Sequence, residues 1–272
     1  MTKCCFCGPV RNCAPFLEKV LNNIEKLSEL FDDYCIVIFY DRSTDNTLQK
    51  LKDYQKKNKK LIFYENKFIV SPFRTHRIAN ARNFCLKYID DNYKINDYEY
   101  FIMMDFDDPN CKNCNTDILK KYLSRSDWDA LSFNTSPGYY DIWGLSIYPF
   151  CFSYNHFANN YQYHNIIREY INSLLNKVEK GNLLACISSF NGFAIYRREK
   201  FINCKYDGRI RLDLFPKKYI IAHSKAQKSG LVYKDYGHIK GKYEDCEHRA
   251  FHMEAIIKNK ARIMISSEVI FS

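Results

Sequence analysis

The sequence predicts a doubly wound α/β chain: a single domain over residues 1–272, with a mostly parallel central sheet, helices on both faces and a smaller mixed C-terminal part. Three observations predict it. Continuous apolar runs alternate with amphipathic helical patterns through the first half, the order that lays crossover helices over parallel strands. Two acidic positions, Asp41 and Asp105, each follow such a run directly. No stretch rich in Pro, Gly or Ser divides the 272 residues, and no internal repeat is visible; this length suffices for one large core.

Each element has its own signal. Lys3 to Cys7 reads as a short buried strand. Pro15 opens a helix with Phe16, Leu17, Val20, Leu21, Ile24, Leu27 and Phe31 on one face, and proline suits a first turn. Cys35 to Tyr40 is continuously apolar, as a parallel strand covered on both faces requires. Ser43-Thr44-Asp45-Asn46-Thr47 follows as a turn and helix cap leading into Leu48 and Leu51. Leu61–Tyr64 is a third strand. Thr75–Asp91 is a helix carrying Ile78, Ala81, Cys85 and Ile89, and Tyr98–Met104 is a fourth strand. Farther on the pattern is less regular. Trp128–Phe133 reads as a strand, and the stretch 137–163 is rich in aromatics and turns. His164–Lys180 reads as a helix stopped by Gly181. Ser188–Tyr196 is a loop plus strand, Glu244–Asn259 a helix and Arg262–Phe271 a closing strand.

Composition narrows the classes. With 46% hydrophobic and 26% charged residues, the chain is ordinary globular protein. The net charge of +10 suits an anionic partner. Basic residues are nevertheless spread along the chain, and the densest run, Lys56 to Lys60, reads as a solvated helix end; no nucleic-acid partner is expected. The 12 cysteines follow no signal peptide and no apolar run long enough to span a bilayer. A cytoplasmic location with free thiols is the expectation. The lone Cys111-Lys112-Asn113-Cys114 lacks the second ligand pair of a structural zinc site.

The chemistry begins at Asp105-Phe106-Asp107-Asp108. Clustered carboxylates at the end of a buried strand repel one another unless a hard cation and phosphates neutralise them. In an extended segment, alternate side chains share a side, so Asp105 and Asp107 can serve one ligand. A solvated acidic turn before Pro109 is the plainer reading. The second cluster is Gly241-Lys242-Tyr243-Glu244-Asp245-Cys246-Glu247-His248, with His252 one helical turn beyond His248; the plainer reading is an amphipathic helix with its polar side in solvent.

Three segments carry a family resemblance. Ile36 to Thr47, ending Asp41-Arg42-Ser43-Thr44-Asp45-Asn46-Thr47, resembles the strand-turn-helix of GT-A glycosyltransferases. Arg77-Ile78-Ala79-Asn80-Ala81-Arg82-Asn83 resembles their A-R-N segment, and Asp105-Phe106-Asp107 falls where their D-x-D motif sits. The chain is similar to family 2-like members, including poorly characterised ones of large DNA viruses and relatives of fungal mannosyltransferases; a viral origin would place it in host cytoplasm or virion. The resemblance implies a single GT-A, Rossmann-like glycosyltransferase domain, with residues 1–135 binding the nucleotide-sugar and 136–272 the acceptor. It implies Mn²⁺ or Mg²⁺ as cofactor, a UDP-sugar donor with GDP-sugar as rival, and a hydroxyl of a glycan or protein as acceptor, with inversion.

The resemblance also assigns residues. Asp41 would meet the base or ribose, with a turn-capping role as its alternative. Arg77 or Arg82 would approach the diphosphate, the other lying on the surface, and Arg82 fits the motif better. Asp107, with Asp105, would hold the metal, joined by His252 or His248. Asp245 would be the general base, with Glu247 and Glu244 behind it. Gly192, within Ser188–Tyr196, would allow close backbone approach in the donor or acceptor pocket. Apart from the resemblance, aromatic walls suit the apolar face of a sugar, so Tyr140, Asp141 and Trp143 would line the acceptor site, with core packing as the plainer reading of these aromatics. Arg42 departs from the family's usual Gly or Asp. A nucleotidyltransferase is an alternative, though Gly8-Pro9 is a poor glycine signature for it. A catalytically inactive carbohydrate-binding relative is another. P-loop and G-x-G-x-x-G fingerprints are absent.

Overall fold

The computed structural model describes residues 2–67, 71–152, 160–226 and 244–272. Eight strands form one sheet in the order β3-β2-β1-β4-β7-β5-β8-β6. The strands are β1 (Lys3–Val10), β2 (Asp33–Tyr40), β3 (Leu61–Glu65), β4 (Tyr100–Met104), β5 (Ala130–Asn134), β6 (Leu183–Cys186), β7 (Phe193–Arg197) and β8 (Ile263–Val269). The pairings among β3, β2, β1 and β4 are parallel. Strand β7 lies antiparallel between β4 and β5; β8 pairs parallel with β5, and β6 closes the edge antiparallel to β8.

Burial on both faces follows from alternation along the strands. Cys4, Phe6, Ile36, Ile38, Ile102 and Met104 face one core, packed by α1 (Leu17–Ser28), α2 (Thr47–Lys57) and α4 (Thr116–Leu123). Cys5, Cys7, Cys35, Val37, Phe101 and Met103 face the other, packed by α3 (Arg74–Asn92) and α7 (Glu247–Asn259). On α1, Leu17, Val20, Leu21, Ile24 and Leu27 are all buried. At about 1.5–3 kcal/mol for each such side chain, packing rather than helix propensity holds this element. A third cluster sets α5 (Asn160–Lys177) against Tyr139, Ile142, Leu145 and Ile265. The remaining helix, α6 (Lys217–Ala226), packs Tyr219 and Ile220 near Phe152 and Phe215.

Two expectations need correction. The helix expected from Glu244 begins at Glu247, because Asp245 and Cys246 are extended and Asp245 N donates to Gly208 O. Strand β6 was not anticipated; four residues, Leu183 to Cys186, are too short to show a period. All 12 cysteines are free thiols. Gly241, Lys242 and Tyr243 lie outside the described residues.

The β5–β8 junction is held by Asp129, which is 2% exposed. Its carboxylate accepts from Arg262 N at 2.8 Å and from Arg262 Nε at 2.9 Å. Burial pushes this carboxyl up, but the bonds from Arg262 outweigh it and leave it below its ordinary value. A depressed carboxyl contributes stability above its unfolded-state value and loses it as pH falls through the folded-state value. Asp129→Asn is therefore expected to cost about 1–3 kcal/mol at pH 7, read by urea unfolding. The gap to wild type should close as pH falls below the carboxylate range; an equal gap at pH 7 and in acid would contradict this account.

Candidate active site

Ligands of open α/β sheets bind beyond the carboxyl ends of the strands, and this sheet places its acids there. Asp41 follows β2 and Asp105 follows β4, on either side of β1. Both border a cavity of about 1200 Å³, together with Asp107, Arg74, Arg77, Arg82, Tyr140, Asp141, Trp143 and Glu247.

The β2 end is a built corner. Asp41 Oδ1 accepts from Arg42 N at 3.0 Å and from Asn66 Nδ2 at 3.1 Å, and Arg11 Nη1 is 3.7 Å from Oδ2. The capping alternative falls to Asp45 instead, which accepts from Thr47 N and Ala14 N. Asn66, just past β3, and Arg11, just past β1, were not anticipated. Their signal was close to the one that marked Asp41: Arg11 directly follows a strand-like apolar run, and Asn66 lies one residue beyond another.

The β4 end is fixed by asparagines. Asp105 N donates to Gly192 O at 2.9 Å. Buried Asn110 donates from Nδ2 to both Asp105 O and Gly192 O at 2.7 Å. Asn23 of α1 donates in turn to Asn110 O and Lys112 O. Gly192 has φ +84°, and a Cβ there would lie 2.7 Å from the Tyr140 hydroxyl and 3.4 Å from Pro109 Cβ. Only glycine allows both the backbone turn and the approach of Tyr140 over the acidic segment.

Arg82 sits behind this segment, 3% exposed. Its Nη2 donates to Asp105 Oδ1 at 2.9 Å, its Nε is 3.3 Å from Glu247 Oε1, and its guanidinium lies 4.3 Å from the Phe190 ring centre. Burial pushes the Asp105 carboxyl up to about 7, with Arg82 opposing and Asp107, Glu247 and Asp141 reinforcing the rise. Glu247 is also raised, by burial against the pull of Arg82. Arg82 is thus committed to two acids. Arg77 also borders the cavity rather than lying apart on the surface, and its Nη1 donates to Ser71 O and Pro72 O. Arg74, the first residue of α3, was not anticipated. It has no ion pair among the described residues and lies close enough to lower the carboxyls of Asp107 and Glu247.

The structure places only part of the second acidic cluster at the cavity, Glu247 and His248 but not Asp245 or His252. Asp245 does not border the cavity. Its Oδ2 accepts from Arg249 Nε at 2.9 Å and its Oδ1 from Cys246 N at 2.8 Å, deep in the protein. Glu244 accepts from Thr75 N at 2.8 Å, in the first turn of α3, where a carboxylate is favoured. His252 is fully buried outside the cavity, its Nδ1 3.0 Å from Ser188 Oγ and its Nε2 3.1 Å from the Tyr196 hydroxyl. With both nitrogens engaged, it cannot complete a metal shell in the cavity. Burial and Arg82 keep its imidazole neutral, down to about 3. His248 does border the cavity, stacked on Phe190, and its buried Nε2 has no hydrogen-bond partner among the described residues.

These residues fit one hard cation held jointly with a ligand. Among the described residues, no three His, Cys, Asp or Glu side chains group around a point a metal could occupy. Asp107, however, faces the cavity with no ion pair among the described residues, and burial with Asp108 raises its carboxyl against the pull of Arg74. One or two carboxylates completed by ligand phosphates is the arrangement a Mg²⁺-like ion accepts.

Removing Arg82 leaves buried Glu247 and the partly exposed Asp105 without their shared cation. Arg82→Ala should cost about 3–5 kcal/mol, measured by urea unfolding; a loss below about 1 kcal/mol would show that the buried pairing does not matter.

Residues 5–133 match Glycosyl transferase family 2, just under half of the chain. No curated protein matches the chain by sequence. Among solved structures, S. aureus TarS is similar over 100% of this chain and 36% of its own, at 14% identity and a TM-score of 0.50, a likeness of fold. S. aureus TarS 1-349 in complex with UDP-GlcNAc is 15% identical, covering 100% of this chain and 57% of its own, with a TM-score of 0.49. The mannosyltransferase PcManGT from Pyrobaculum calidifontis, in complex with GDP-Man and Mn²⁺, is 16% identical over 75% of this chain and 47% of its own, with a TM-score of 0.42. The chain thus spans less than two thirds of each of these proteins. The stretch that matches the family, 5–133, carries Asp41, Arg82, Asp105 and Asp107.

Proposed function

We propose that the chain transfers a sugar from a nucleotide-sugar donor to an acceptor hydroxyl on a glycan or protein, with the help of Mn²⁺ or Mg²⁺ and with inversion at the anomeric carbon. The observation that carries this reading is the convergence of Asp41, Asp105 and Asp107, from two strand ends, on one cavity that also holds Arg74 and Arg77. The match of 5–133 to the family supports it. A UDP-sugar is the favoured donor and a GDP-sugar the rival.

Each residue then has a physical task. Asp41, steadied by Asn66 and Arg11, accepts hydrogen bonds from the base or ribose. Arg74 and Arg77 face the diphosphate, where guanidinium groups pair well with phosphate oxygens. Asp107, with Asp105 behind it, would hold the divalent ion, which supplies Lewis-acid stabilisation of the departing diphosphate. Tyr140 and Trp143 present aromatic walls to the apolar face of the acceptor sugar.

A thermal-shift series with UDP-glucose, UDP-N-acetylglucosamine and GDP-mannose, with and without Mn²⁺, tests the reading. A donor at about 100 times its Kd adds about 2.7 kcal/mol, or roughly 5–10 °C for a chain of this size. The rise should need Mn²⁺ and should disappear in Asp107→Ala. No rise with any donor, or an unchanged rise in Asp107→Ala, would sink the proposal.

A further inference from the structure

Direct displacement at a sugar carbon needs a group across from the diphosphate to take the acceptor's proton. This inference rests on the glycosyltransferase reading and names that group. Among the described residues beyond 135, the carboxylates that border the cavity are Asp141 and Glu247. Asp245 is locked to Arg249, and Glu244 holds the start of α3.

Glu247 is poorly placed to gain a proton. Its Oε1 lies 3.3 Å from Arg82 Nε and 3.5 Å from His248 Nε2. Neutralising it would leave a fully buried guanidinium with one acid fewer, and such half-broken buried pairs are unfavourable.

Asp141 differs in each respect. It has no ion pair among the described residues. Its Oδ1 accepts from Gly144 N at 3.1 Å, and the carboxyl's other hydrogen bonding is to the backbone of Asn191 rather than to a charged side chain. The backbone beneath it is held rigidly, because Asn191 Oδ1 accepts from both Tyr140 N and Asp141 N at 3.1 Å. A Cβ on Gly144 would lie 2.5 Å from Asp141 Oδ2, so the glycine makes room for the carboxylate in this position. The flanking Tyr140 and Trp143 border the same cavity. Burial raises the Asp141 carboxyl above its ordinary value, which strengthens it as a proton acceptor.

We propose that Asp141 is the general base that deprotonates the acceptor hydroxyl. The acceptor O–H bond breaks and its proton passes to Asp141 Oδ2 while the acceptor oxygen bonds to the anomeric carbon. The anomeric C–O bond to the diphosphate breaks, and its electron pair leaves on the diphosphate oxygen. Asp141 then returns the proton to water.

Donor hydrolysis, with water as acceptor, is measured with UDP-glucose, UDP-N-acetylglucosamine and GDP-mannose in Mn²⁺, and donor Kd by calorimetry. Asp141→Asn keeps an oxygen for Gly144 N, so it should bind donor within about twofold of wild type. Its turnover should fall about 10²–10⁴-fold, the range of general-base contributions. Formate should restore part of the turnover of Asp141→Ala. Asp245→Asn should unfold at a lower temperature yet turn over within about tenfold of wild type when folded, a loss smaller than the lower bound for removing a general base. Asp141→Asn at more than a tenth of the wild-type rate, or a larger loss in Glu247→Gln, overturns the assignment to Asp141 alone. A wild-type chain that neither binds nor hydrolyses any donor overturns the glycosyltransferase reading and this inference with it.

Discussion

The site depends on one buried cation. Arg82 bonds to Asp105 from the first half of the chain and pairs with Glu247 from the second, with Phe190 beneath its guanidinium plane. Without it, two acids raised by burial would confront each other. With it, Asp105 is held in one geometry at the end of β4, and α7 is pinned against α3. A guanidinium suits this task because its fork reaches two carboxylates at once. The same commitment is why the proposed function gives the diphosphate to Arg74 and Arg77, which border the same cavity.

Sheet topology supplies the second half of the arrangement. Strand β7 enters antiparallel beside β4, with Phe193 opposite Met104, so the residues just before β7 meet the residues just after β4. That is why Gly192 O receives both Asp105 N and Asn110 Nδ2, and why Asn191 can steady Tyr140 and Asp141. One turn before β7 thus organises both the acidic segment and the opposite wall of the cavity.

Much of the first half was legible because its signals are local. Cys35 to Tyr40 and Tyr100 to Met104 are apolar throughout and end in aspartates, so strand position and strand-end chemistry could be read together. Asp45 and Asn110 show the limit: their side chains act on backbone groups brought near by folding, and no spacing reveals which. The second acidic cluster misled for the same reason. Glu244 and Asp245 resemble a catalytic pair, but the first serves the start of α3, 169 residues earlier in sequence, and the second a buried arginine in the first turn of α7. His252 shares a helix face with His248, yet that face turns partly into the core, where Ser188 and Tyr196 take both its nitrogens. Arg74 escaped notice because an arginine beginning a helix carries no signal until the cavity beside it is known.

The central claim is that the rim of acids beyond β2 and β4 receives a nucleoside diphosphate. A crystal structure with UDP and Mn²⁺ addresses it most directly. The account predicts the nucleoside against Asp41 and Asn66, with the diphosphate between Asp107 and Arg74. UDP bound elsewhere on the molecule, or a cavity left empty at saturating UDP and Mn²⁺, would contradict it.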